Sequence, residues 1–185
     1  MAAGVLRRAR RPGVRGRSLS LTRSGIARRA APRYGAGVAT EPAEDEVVDS
    51  PTGWVARHVD RYVATDGAKG HQFHGAPSLL LTTRGRTSGK LRRTALYYGK
   101  DGDSFVVVAS NGGAREDPLW YRNIAADPAV HVQVGADHVD GRARTATGQE
   151  RSRLWALMTG VYRTYDSYQR KTRREIPVVV IDVDA

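Results

Sequence analysis

The sequence predicts an α+β fold in which about six mainly antiparallel strands close into a small barrel with helices on its outside. Three observations carry this. Two pairs of apolar segments are joined by glycine turns: Arg93 to Tyr98 with Ser104 to Ala109 around Gly99-Lys-Asp-Gly102, and the alternating Val130, Val132 and Val134 with about His138 to Thr145 around Gly135-Ala-Asp137. The one passage from a glycine loop into a helix lacks the βαβ repeat and the acidic ribose residue of a dinucleotide fold. Six strands with a mainly apolar face must hide both that face and their edges, and closure does both.

Composition sets the frame for these elements. A chain of 185 residues suits one domain plus a tail. It has no cysteine, which excludes thiol catalysis, disulfides and thiolate metal sites. The net charge of +11 is uneven: residues 1 to 40 hold ten arginines and no acid, and residues 41 to 50 hold five acids. Residues 1–46 are rich in Arg, Ala, Gly, Pro and Ser without an apolar period, so they are expected to be a disordered basic tail ahead of a folded domain at 47–185. The tail has no apolar run long enough for a signal peptide or a membrane span, which points to a cytoplasmic protein. Its Arg-rich, acid-poor character also matches a transit peptide or a surface for nucleic acid or anionic lipid.

Along the domain, Pro51 to Tyr62 reads as an amphipathic helix capped by Asp49 or Ser50, with Trp54, Val55, His58, Val59, Tyr62 and Val63 at helical spacing. Its Trp-Tyr face packs on a sheet or touches a membrane peripherally. His71 and His74 flank Phe73 but have no third ligand nearby, so no metal site is expected. The apolar run Leu79 to Leu81 opens into a loop with Arg84, Arg86, Lys90, Arg92 and Arg93 around Gly85 and Gly89. Phe105 to Ala109 ends in Ser110-Asn111-Gly112-Gly113, and a helix follows with Asp117 as N-cap and Pro118 as its first residue. His131 and His138 fall at rim positions. Thr147-Gly-Gln-Glu150 is a capping-box pattern that starts the longest helix, with Leu154, Met158, Val161, Tyr162 and Tyr165 along one side. Ile176 to Val183 is nearly all apolar and should be a central strand.

Both loops after the apolar runs are built to hold an anion. In the first, guanidinium forks grip phosphate or carboxylate oxygens while the glycines admit backbone N–H groups. In the second, paired glycines allow positive φ and a nest of amides beside a helix N-terminus. Gly85-Arg-Thr-Ser-Gly89-Lys90 is not a nucleotide P-loop: three residues rather than four separate its glycines, and Leu91 follows the lysine.

Taken in order, Leu80-Leu-Thr-Thr-Arg-Gly-Arg-Thr-Ser-Gly89, Arg92 to Tyr98, Ala109 to Ala114, Pro118 to Asn123, and Tyr162, Tyr165 and Tyr168 ahead of Ile176-Pro177-Val178 resemble the deazaflavin-dependent nitroreductase family. Its members are oxidoreductases that bind the 5-deazaflavin coenzyme F-420. The resemblance runs from about Thr52 to Val183. It implies a split β-barrel of the flavin-reductase type and hydride transfer from reduced deazaflavin to a quinone, nitroaromatic or enone-type acceptor. It also implies that Arg86, Ser88, Lys90 and Arg92 face the phosphate and glutamyl tail, and that Ala95, Leu96 and Tyr97 line the ring edge. Ala109, Ser110, Asn111, Gly112 and Gly113 would meet the ring and ribityl region, with Trp120 and Asn123 closing the site. Developing charge on the acceptor needs a donor in a dry pocket, for which Ser110, Tyr165 and Tyr97 are the catalytic candidates. Tyr97, Tyr162, Tyr165 and Tyr168 are the candidates to hold the acceptor.

Three departures from the family pattern stand out: Thr87 and Asn111 where many relatives carry lysine, and Ala95 where proline is common. Either Lys90 and Arg93, cations extra to the pattern, compensate for these departures, or coenzyme affinity is lowered. Two alternatives share these residues: a split barrel that binds FMN, and a basic nucleic-acid-binding protein, against which stands the lack of any recognised RNA or DNA signature. The expected partner is a small-molecule acceptor with no specific nucleic acid, and the chain is expected to be a monomer or a homodimer.

Overall fold

In the computed structural model of the chain, residues 46–51 and 53–184 are described; apart from Glu46, the basic tail expected over 1–46 lies outside them. The chain divides into two units, residues 1–40 and 41–185. The second carries β1 (Val47–Asp49), α1 (Gly53–Ala64), β2 (Gln72–Phe73), β3 (Ala76–Arg84), β4 (Leu91–Asp101), β5 (Ser104–Val108), a 3-10 turn (Asn111–Gly113), α2 (Leu119–Ala126), β6 (Ala129–Val134), β7 (Asp137–Thr145), α3 (Gly148–Val161), α4 (Thr164–Lys171) and β8 (Val178–Val183). Six strands run antiparallel in the order β4-β5-β8-β7-β6-β3, and β3 pairs back onto β4 to close the barrel. β1 lies parallel along β4 and β2 antiparallel along β3. These two strands were not expected: three and two residues are too few to show a period.

Alternation within the strands sorts the side chains to two faces. Leu79, Leu81, Phe105, Val107, Val130, Val132, Val179 and Ile181 fill the interior, and Trp120 and Ile124 of α2 join that cluster. The opposite faces are also covered. Leu80 packs against Val55, Val59 and Tyr62 of α1, while Val106, Val108, Val178 and Val180 pack against Leu154 and Met158 of α3 and Tyr165 of α4. β5 and β8 are therefore buried on both sides, which explains their nearly unbroken apolar sequences. Each such side chain contributes about 1.5–3 kcal/mol on burial.

Gly99 lets α3 lie on β4: a Cβ there would come within 2.3 Å of Leu157 Cδ2 and 3.0 Å of Met158 Sδ. The β4–β5 hairpin turns later than expected, at Gly102-Asp103 between the paired Asp101 and Ser104. Three local expectations are corrected. Pro118, extended at ψ 150, is the N-cap of α2, and Asp117 caps nothing because Arg174 holds its carboxylate at 2.8 Å. Thr147 occupies the N-cap of α3 without a side-chain cap bond, and Glu150 is drawn instead to Arg144 at 2.8 Å. The single long helix is two, α3 and α4, because Tyr162 leaves the helical region at φ −144, ψ 95. No helix among the described residues is long and apolar enough to cross a membrane.

Candidate active site

A cleft of about 1360 Å³ runs along β4 between α1 on one side and α4 with the Ser110–Gly112 bend on the other. It brings together most residues expected to bind a ligand. Arg86, Ser88, Arg92, Ala95, Leu96, Tyr97, Ser110, Asn111, Gly112, Trp120, Asn123, Tyr162, Tyr165 and Tyr168 all line it. Lys90, Ala109 and Gly113 do not. Lys90 is drawn off by Glu46, 3.0 Å away, since the unforeseen β1 lays that carboxylate beside it. Ala109 is fully buried in the barrel. Gly113 is required by packing: a Cβ there would meet the Tyr168 carbonyl oxygen at 2.7 Å.

The cationic end is a tight loop. Gly85 N–H donates to Lys90 O and Gly89 N–H to Gly85 O, both at 2.8 Å, and a Cβ on Gly85 would sit 2.8 Å from Ser88 Oγ. Buried Asn123 anchors the loop to the barrel: its Oδ1 accepts from Arg86 N–H at 3.3 Å and its Nδ2 donates to Thr83 Oγ1 at 3.1 Å. Asn123 thus acts by fixing the loop. Arg92 Nη2 lies 3.4 Å from Ser88 Oγ, and the Arg86 guanidinium is exposed with no partner among the described residues. Arg93, the other extra cation, is bound by both oxygens of Asp49 at 2.7 and 3.0 Å. Neither Lys90 nor Arg93 is therefore uncommitted.

Facing this loop is the bend after β5. Asn111, Gly112 and Gly113 have φ of 47, 64 and 83°, a region that glycine enters freely and asparagine more readily than most other residues. Gly113 and Ala114 N–H close the turn onto Ser110 O and Asn111 O, which leaves the Asn111 and Gly112 amides without an acceptor among the described residues. Unpaired amides in successive positive-φ residues are the makings of an anion-binding concavity. Arg174 ties back the other side, donating to Ala109 O (3.1 Å), Ser110 O (2.8 Å) and Ala114 O (3.0 Å) while pairing with Asp117. Sequence reasoning missed Arg174, which reads only as one charge in Arg173-Arg174-Glu175.

The other end is aromatic. Tyr97 and Tyr162 rings lie 4.5 Å apart, Tyr162 meets Tyr165 edge-on at 5.3 Å, and Tyr168 closes the group at 6.3 Å from Tyr165. Three residues spaced by three would drift around one helix. The break at Tyr162 instead brings all of them to the cleft. Burial pushes Tyr97 up to about 12, helped by Tyr162 and Tyr168. Burial raises Tyr165 further, and it raises Tyr168 together with the Tyr162 hydroxyl. These phenols stay protonated at neutral pH and so are hydrogen-bond donors, not bases.

Opposite them stand residues that sequence reading treated as packing or polar loop. Trp54 stacks on Phe73 at 5.7 Å, Phe73 on His74 at 4.0 Å, and Phe73 lies 6.2 Å from Tyr97. His58 is buried beside them with Nε2 3.2 Å from Ser78 Oγ, and its proton affinity is lowered by burial, then by Arg61 and His74. The cleft thus offers cations and unpaired amides at one end and phenol hydroxyls beside stacked rings at the other.

The family model described as F420H(2)-dependent quinone reductase matches residues 54–182. An F420H(2)-dependent quinone reductase of Mycobacterium tuberculosis is 38% identical over 141 residues, covering 69% of this chain and 95% of its own. A second protein of that organism, described as a putative F420H(2)-dependent quinone reductase, is 43% identical over 105 residues, covering 57% of this chain and 88% of its own. Among solved structures, one described as an F420-H2 dependent reductase is 40% identical with a TM-score of 0.54, covering 57% of this chain and 94% of that one. Another, described as a domain-swapped dimer, is 38% identical with a TM-score of 0.57, covering 72% and 100%.

Proposed function

The chain belongs to the F420H(2)-dependent quinone reductase family, an oxidoreductase family, and from that premise we propose that it reduces a quinone with F420H(2) in the cleft along β4. The observation that carries the reading is the meeting, in one cleft, of Arg86 and Arg92 with Asn111 and Gly112, whose amides have no acceptor among the described residues. Both are suited to the negatively charged tail of a deazaflavin, and the uncommitted Arg86 guanidinium is a group waiting for an anion. Ser88 steadies Arg92, and Asn123 and Arg174 hold the two loops in place.

When bound, reduced deazaflavin supplies a hydride; the protein supplies position, charge and exclusion of water. Tyr97 and Ser110, with Tyr165 behind them, donate hydrogen bonds to the acceptor oxygen as it gains charge, and Tyr162 and Tyr168 hold the acceptor ring. Trp120 closes the barrel side of the cleft. A quinone suits this end better than a nitro group or an enone, because a flat ring with an oxygen at its edge meets stacked phenol faces and hydroxyls together. FMN, the alternative cofactor, finds no support among the relatives.

Residues 47–185 are the part proposed to suffice for binding. Trp54 and Leu119 are 53% and 67% exposed at the cleft mouth, which suits peripheral contact with a membrane holding a lipid-soluble quinone; the protein itself is cytoplasmic in this reading. The relative described as a domain-swapped dimer supports a homodimer. Fluorescence titration with F-420 and with FMN, then turnover with menadione, a nitrofuran and cyclohexenone, tests the whole reading. F-420 alone should saturate and menadione should be reduced fastest. Saturation by FMN alone would overturn it.

A further inference from the structure

Reduction of a quinone needs a proton besides the hydride, and the phenols lining the cleft hold theirs tightly. Tyr97, pushed up to about 12 by burial and then by Tyr162 and Tyr168, can pass its proton on only if another group refills its hydroxyl at once. Among the described residues, one side chain from outside the tyrosine cluster reaches that hydroxyl: His74 Nδ1 lies 3.5 Å from Tyr97 Oη. This is the long end of a hydrogen bond, and contacts of this kind tighten when a site is filled.

The backbone at His74 is a second, independent observation. Phe73 and Ala76 pair across a two-residue turn in which His74 has φ +50 and Gly75 φ +79. That hairpin turn favours Asn-Gly, so a histidine satisfies it less well than the residue it could have. Positive φ at a non-glycine residue beside a cleft is a departure of the kind that clusters at functional sites. The imidazole is fixed by stacking on Phe73, with centroids 4.0 Å apart and planes 24° from parallel, and it remains open to solvent.

We propose that His74 is a proton-relay residue for quinone reduction, held by the β2–β3 turn so that it resupplies the Tyr97 hydroxyl. The proposal rests on the function given above. The acceptor takes two electrons and one proton as hydride. Its second proton leaves Tyr97 Oη for the acceptor oxygen as His74 Nδ1–H passes a proton to Tyr97 Oη. His74 is then neutral, and solvent water returns the proton to its exposed ring. Histidine is the side chain whose charge ordinarily changes near neutral pH, so the step should slow as pH rises. The titratable groups facing His74 are Tyr97 from β4 and His58 from α1. His58 is held toward its neutral form by burial, Arg61 and His74 itself, and it is engaged with Ser78, so it does not substitute.

His74→Asn is the informative variant because asparagine suits the turn. In the full chain its melting temperature should be no lower than that of the unchanged protein. Loaded with reduced F-420 and mixed with menadione, it should react about tenfold more slowly at neutral pH, within the range that one acid–base group contributes. The fall in rate with rising pH should disappear, and added imidazole should restore part of the rate to His74→Gly. An unchanged rate and pH profile in His74→Asn overturns the proposal. In the coenzyme-free protein, Tyr97→Phe should shift the NMR resonances of the His74 ring protons at fixed pH. Unmoved resonances overturn the contact. Shifted resonances in a protein that ignores F-420 would instead overturn the coenzyme reading, and the relay's task with it.

Discussion

The two ends of the cleft are assembled in opposite ways. The anion-binding end comes from two short stretches, Gly85–Arg92 and Ser110–Gly113, whose glycines and cations are neighbours in sequence. The aromatic end gathers Trp54, Phe73, His74, Tyr97 and the Tyr162–Tyr168 group, which only the closed barrel brings together. Affinity for a charged tail can thus sit in local motifs, whereas the place where an acceptor gains charge depends on the whole fold. Damage at the first end should weaken binding with the fold intact, and damage to what supports an end should cost stability as well.

The largest expected effect tests the support. Arg174→Ala strips donors from three carbonyls and leaves Asp117 without its partner in a half-buried site. Stability in urea should fall by about 2–4 kcal/mol, with F-420 binding weakened in parallel. Loss of stability with binding unchanged would mean that the bend holds its shape without this clamp. Next in size, Arg86→Ala should weaken F-420 by about 1.5–3 kcal/mol, as should Arg92→Ala, if each guanidinium makes a charged hydrogen bond to the tail. Urea stability should not change. Equal binding in the variants would break the contrast, because the anion end would then owe nothing to its cations.

The aromatic end has its own signature in pH. A phenol whose pKa is raised on folding contributes stability in full below its unfolded value near 10 and loses it as pH rises through the folded value. For Tyr97 that window runs from about 10 to about 12. Thermal stability should therefore decline across it, together with the tyrosinate absorbance, and Tyr97→Phe should flatten the decline. Between pH 6 and 9 the tyrosines should contribute no slope.

What could be read from the chain follows the same division. The barrel was legible because apolar alternation in the strands and glycine turns such as Gly135-Ala-Asp137 are local signals. Loop cations and Ser110-Asn111-Gly112 were legible for the same reason. Phe73 and His74 were not, because a polar loop with two histidines shows nothing of the stack it enters across the sheet. Nor was Arg174, whose four contacts lie 57 to 65 residues away in sequence. Lys90 is set apart in the other direction. Its sequence neighbours suggest a phosphate ligand, but an unforeseen strand delivers Glu46 to it.

That pairing sets the smallest prediction, which concerns where a cation helps. Lys90 is exposed, paired with Glu46 and absent from the cleft lining, so Lys90→Ala should change F-420 binding by less than about 0.5 kcal/mol. Thr87 lines the cleft and is exposed, and Thr87→Lys should strengthen binding by about 0.5–1 kcal/mol at low salt, with the gain fading as salt is added. Asn111→Lys, which restores the other family cation, should gain less. Asn111 sits at φ 47, where asparagine is tolerated and a long side chain is strained, so the added charge is offset by the bend it distorts. If Lys90→Ala proved as damaging as Arg86→Ala, Glu46 would have to release the lysine on binding, and the anion-binding end would extend beyond the two short stretches to β1.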